Sequence, residues 1–148
     1  MTYQENTETS LIHESYMDVR DYECDMAGVV NNSVYLNYLE HARHTMLKAG
    51  GIDFADLARQ HIGLVVTRAE VDYVRSLVSG NQFVVKTIIR RVSKLRFEFS
   101  QDIFRLPDNV PIIKAKIMGT PINAEGKPRI PSGLEALIVA MCSVHISD

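Results

Sequence analysis

The chain of 148 residues has no tryptophan, two cysteines and a net charge of only −2. Each shortage excludes something. Cys24 and Cys142 lie too far apart for a metal-binding or redox pair, so reduced thiols are expected. The acidic neighbours Glu23 and Asp25 give Cys24 nothing that would stabilise a thiolate. The five histidines form no HExxH motif and no paired spacing with carboxylates, so neither a metal nor another cofactor is expected. Nearly balanced charge removes the electrostatic reason to expect nucleic acid or an anionic membrane as the main partner. No apolar run approaches the roughly 20 residues of a membrane helix. Residues 1–10 also lack the basic start and apolar centre of a signal peptide. The expectation is a cytoplasmic chain without membrane insertion, a single domain over 1–148 with a flexible tail at 1–10.

What is present centres on the stretch Asp25-Met26-Ala27-Gly28-Val29-Val30-Asn31-Asn32-Ser33-Val34-Tyr35. Beyond it, apolar side chains at Tyr35, Leu36, Leu39, Ala42, Met46, Leu47 and Ala49 recur at the three-and-four spacing of a helix. Asn31 or Asn32 supplies the N-cap and Gly50-Gly51 the stop. The first N–H groups of such a helix lack internal acceptors, and the aligned peptide dipoles place roughly half a positive charge there. An oxygen that becomes negative during a reaction is favoured at that end. A carboxylate returned to the same spot by a Gly-containing loop would then serve as base or nucleophile. The competing reading is an ordinary loop with a capping residue.

Further along, 11–20 alternates loosely as a strand, and 52–61 reads as a short helix capped by Asp53. Between Gly63 and Val74, Ala69, Val71 and Tyr73 oppose Arg68, Glu70 and Asp72, the pattern of a half-buried strand. Strands follow over 82–92, 95–104 and 111–120, with turns at Ser79-Gly80-Asn81 and Pro107-Asp108-Asn109 and a last helix over 132–140. Consecutive strands joined by short turns pair antiparallel. The fold class is therefore α+β: an antiparallel sheet of about five strands wrapped around one long central helix. One helix cannot cover such a sheet or close its edges, so a homodimer or homotetramer is expected.

The segment Glu23-Cys24-Asp25-Met26-Ala27-Gly28-Val29-Val30, followed by Asn32, Tyr35, Leu36, Glu40 and Arg43, resembles the N-terminal signature of hot-dog-fold acyl-CoA thioesterases of the 4-hydroxybenzoyl-CoA thioesterase type. The resemblance implies a hydrolase acting on acyl-CoA, with Asp25 as general base or nucleophile. It implies that the Asn32 backbone N–H contacts the oxyanion, and that Gly28 and Tyr35 belong to the substrate site. Thr67 falls on the strand that lines the acyl pocket in that fold. Arg90, Arg91, Lys94 and Arg96 cluster at one hairpin, where a basic stretch touches the nucleotide in the family, and Lys94 is the residue chosen. A solvated hairpin is the other reading. Glu40 stands as a second carboxylate, because another branch of the fold uses a Glu on the central helix. Otherwise it pairs with Arg43 or His44.

The sequence departs from the family pattern at Asn31-Asn32, where many relatives carry an aromatic residue and a His. Glu23 stands where the first of two Asp residues is usual, keeping the charge and changing the reach. The alternatives are an acyl-carrier-protein thioesterase and a non-catalytic acyl-CoA binding module. A dehydratase of the same fold is disfavoured, since the chain lacks the His-containing, Pro-rich loop of those enzymes.

Overall fold

The computed structural model describes residues 12–130, 133–136 and 140; the expected tail at 1–10 lies outside them, as do parts of the last helix, of which 133–136 and 140 are helical. Five strands form one antiparallel sheet: β1 (His13–Asp18), β2 (Gly63–Tyr73), β3 (Gln82–Arg91), β4 (Phe97–Leu106) and β5 (Val110–Ile122), in the order β1-β3-β4-β5-β2. The long helix α1 spans Asn32–Ala49 and the short helix α2 Phe54–Arg59.

Local signals set the helix ends. Asn31 caps α1, its side chain accepting the Ser33 N–H at 3.3 Å. At the other end Gly51 takes φ +104°, while the Gly51 and Ile52 N–H groups donate to the Lys48 and Leu47 carbonyls at 3.0 Å each. That is a Schellman stop, completed by Leu47 and Ile52 meeting in the core. Asp53 caps α2 by accepting the Ala55 and Asp56 N–H groups.

The buried stripe of α1 is Tyr35, Tyr38, Leu39, Ala42, Met46 and Leu47, and it lies on Phe83, Val85, Ile103, Ile113 and Ile117 of the sheet or on the apolar cluster beneath α2. Leu36, expected on that stripe, is 43% exposed, and Tyr38 takes an inward place at 4%. Polar chemistry decides the exchange, because the Tyr38 hydroxyl finds a buried acceptor in Glu23 at 2.8 Å.

Two expectations about β2 are corrected. It does not pair with β3 across the Ser79-Gly80-Asn81 turn; it pairs with β5 at the opposite side of the sheet. Residues 74–81 carry the chain across instead, with Leu77 fully buried beneath α1. Nor is β2 half-buried: Ala69 and Tyr73 are exposed along with Arg68, Glu70 and Asp72. As an edge strand at the margin of the face that α1 covers, it leaves most of its side chains little to pack against, and a register shift between Val66 and Arg68 breaks its alternation.

Candidate functional site

The crossing segment 74–81 builds the loop that carries Asp25. Val30 N–H donates to the Leu77 carbonyl at 2.9 Å, Leu77 N–H donates to the Tyr35 hydroxyl at 2.9 Å, and Val29 bridges to Val78. Cys24 and Val30 form an antiparallel bridge, with Asp25 N–H donating to the Val29 carbonyl at 2.8 Å. The loop between them is closed by Gly28, whose φ of +84° suits glycine and whose N–H returns to the Asp25 carbonyl at 3.0 Å. Within it, Asp25 Oδ1 accepts the Ala27 N–H at 2.9 Å and the Val29 N–H at 3.4 Å. The carboxylate is exposed yet oriented. Two residues after the bridge, α1 begins at Asn32, so the carboxylate and the helix's first N–H groups share one end of the fold.

Glu23 ties this end together. Its carbonyl accepts the Asn31 N–H at 3.0 Å, and its buried carboxylate accepts the Tyr38 hydroxyl and the Arg20 N–H, both at 2.8 Å. Burial, then the adjacent Glu23 carboxylate, pushes the Tyr38 phenol up from its ordinary range, so it stays a neutral donor. The longer reach of Glu over Asp is what meets Tyr38. Tyr38 itself escaped the sequence reading, although its place three residues after Tyr35 was a signal for the same helix face.

The remaining candidates divide. Tyr35, expected near substrate, is buried, with its hydroxyl on Leu77 N–H and its ring edge-on to Tyr73 at 5.8 Å. It positions the helix start against the end of β2. Glu40 lies five residues later, exposed at a cleft between α1 and the first residues of β2. Arg43 and His44 face the same cleft, which is otherwise lined mainly by apolar residues including Leu47, Leu64, Val65, Ile89 and Phe97. Its free volume is about 90 Å³. No Glu40–Arg43 hydrogen bond forms among the described residues; Arg43 donates to the buried Gln101 Oε1 at 3.0 Å and stands over the Phe99 ring. Burial lowers the Arg43 pKa, and the Glu40 charge opposes that shift.

Thr67 and Lys94 do come together. They line one shallow groove with Val65, Leu95 and Thr120, next to the cleft, and Thr67 Oγ1 donates to the Met118 carbonyl at 3.3 Å. Lys94 is exposed in the β3–β4 turn, whose shape is held by Arg91 donating to the Lys94 carbonyl at 2.6 Å. Asp25 lines neither cleft nor groove. The reason is geometric: α1 runs against β2, its start beside Tyr73 and its later turns beside Leu64–Val66. One chain therefore holds Asp25 at one end of β2 and the cleft at the other.

Among the described residues, no three or more His, Cys, Asp and Glu side chains are grouped to hold a metal, and no helix is long and apolar enough to cross a membrane.

The pattern of the thioesterase-like superfamily matches residues 19–138. A chloroplastic acyl-acyl carrier protein thioesterase of Arabidopsis thaliana is 40% identical over 131 residues, covering 88% of this chain and 69% of that protein. A 1,4-dihydroxy-2-naphthoyl-CoA hydrolase of Rippkaea orientalis is 28% identical over 76% of this chain and 83% of its own length. In three dimensions, a 1,4-dihydroxy-2-naphthoyl-CoA thioesterase of Synechocystis superposes with a TM-score of 0.81 at 19% identity, covering 86% of this chain and 95% of the other.

Proposed function

Because the chain belongs to the thioesterase-like superfamily, a hot-dog fold, we propose that it hydrolyses acyl thioesters borne on the phosphopantetheine arm that CoA and acyl carrier protein share. The observation that carries the reading is the Asp25 loop, which presents an oriented carboxylate at the end of the fold where α1 starts.

A thioester carbonyl set against the Asn32 N–H has its oxygen at the positive end of the helix dipole, where negative charge is stabilised as it develops. Asp25 takes a proton from water as the resulting hydroxide adds to the carbonyl carbon. The tetrahedral oxyanion collapses, the C–S bond breaks, and the sulfur leaves with the proton as the free thiol. Direct attack by Asp25 gives a mixed anhydride that water then opens, with the same products.

The site is completed by a second copy. In our reading the exposed β2 edge pairs with itself across a two-fold axis. Antiparallel self-pairing places the Tyr73 end of one strand beside the Gly63 end of the other. Each Asp25 loop then faces the partner copy's cleft, with Glu40 at its side and the groove of Thr67 and Lys94 next to it. The apolar cleft takes the acyl chain and Lys94 meets phosphate on the carrier. Glu40 is a cleft-lining group in this scheme rather than the base.

Identity of 40% to a protein named for acyl carrier protein favours that carrier as a second reading beside CoA. The test is thiol release from the same acyl chains on both carriers, wild type against Asp25→Asn, with folding of both checked. A fall of roughly 100-fold or more in the folded variant is expected. An unchanged rate would move the base to Glu40. Absence of turnover on both carriers, with tight acyl-CoA binding, would leave a binding module.

A further inference from the structure

Among the described residues, Leu134 is the one that lines both the cleft under α1 and a second cavity under α2. It is 3% exposed and packs into the cluster of Met46, Leu47, Ile52, Leu57, Ile89 and Phe97. The second cavity has apolar walls from Ile52, Leu57 and Ile62 on its near side and polar groups such as Asp53, Gln60 and Arg129 elsewhere. We propose that Leu134 is the end wall of the acyl cleft and sets the longest acyl chain the enzyme accepts; this rests on the thioesterase reading above.

The wall is held from outside. Glu135 takes both terminal nitrogens of Arg91, Nη1 to Oε2 at 2.6 Å and Nη2 to Oε1 at 3.0 Å, a bidentate pair. The same guanidinium lies over the Phe97 ring and holds the Lys94 carbonyl. The clamp thus links the end wall to the turn that borders the carrier groove. Removing the three terminal carbons of Leu134 would join the apolar side of the second cavity to the first. Each methylene newly buried is then favoured by about fourfold, since burial contributes about 0.8 kcal/mol.

The experiment measures kcat/KM on a ladder of saturated acyl thioesters for wild type, Leu134→Ala and Leu134→Phe, with thermal melts to confirm folding. Leu134→Ala is expected to raise the ratio of rates on a chain two methylenes past the wild-type optimum to that at the optimum by about 15-fold. Leu134→Phe, which fills rather than empties, is expected to move the optimum to shorter chains. The two opposite shifts separate a wall from a residue that only stabilises. If wild type turns over and both folded variants keep its chain-length profile, the inference is overturned while the thioesterase reading stands. If wild type hydrolyses nothing, that reading falls, and calorimetric binding of a ladder of free fatty acids to the same variants decides the wall. Shifted length preference upholds it; an unshifted preference or no binding overturns it.

Discussion

Glu23 and Tyr38 meet at a distance of 2.8 Å beneath the loop that carries Asp25, and both are buried. Replacing Tyr38 by Phe removes one of the two donors on Glu23 Oε1 and leaves the Arg20 N–H; losing a hydrogen bond to a charged group costs about 1.5–3 kcal/mol, to be read in urea denaturation. Glu23→Gln at the same contact should be non-additive with it in a double-mutant cycle. The pH dependence follows from the raised Tyr38 phenol. The folded state keeps a proton that the unfolded chain gives up near its ordinary value of about 10. This contribution is fully present below about pH 10 and is lost as the pH rises through the raised folded value. Wild type should therefore lose stability more steeply than Tyr38→Phe above about pH 10. Burial raises the Tyr35 phenol also, so some alkaline slope remains in the variant.

At the scale of elements, the solvent face of the sheet carries a ladder of alternating charge, Glu14, Lys86, Asp102, Lys114 and Asp72, each directly opposite the next across β1, β3, β4, β5 and β2. Opposite charges in such cross-strand pairs contribute roughly 0.2–1 kcal/mol each and pin the register. Asp102 sits at the centre, half-buried, and desolvation raises its carboxyl although Lys114 and Lys86 pull the other way. A raised acid binds its proton more tightly when folded, so stability declines as pH rises from the unfolded carboxylate value through the folded one. Asp102→Asn should remove that decline, which equilibrium unfolding at a series of acidic pH values would measure. Helix ends, strand spans and the Asp53 cap were legible because their signals lie within a few residues. The partner of β2 was not, since pairing with β5 rests on contacts about 50 residues away and on Leu77 finding a place under α1.

For the whole molecule, the proposed two-copy site makes assembly part of the chemistry. Ala69 lies mid-strand and exposed on β2. Ala69→Glu would set two like charges face to face near the proposed two-fold axis. Sedimentation should then show the single-chain mass, and thiol release should fall by about tenfold or more with each chain still folded. Retained activity in a monodisperse monomer would confine the site to one chain and sink the two-copy arrangement.

The sequence by itself determined where α1 starts and stops, the loop with Gly28 at its turn, the number and spans of the strands, and the resemblance that led to the thioesterase family. Those are short-range matters: a cap, a left-handed glycine and an alternating run each act within one or two turns of chain. Tertiary structure alone decided that β2 is an edge, that Tyr38 turns inward where Leu36 does not, that Glu23 uses its length, and that Leu134 lines two cavities. Each of these depends on which groups meet after the chain has crossed the sheet, and packing selects the side chain that fits the space and finds its polar partner.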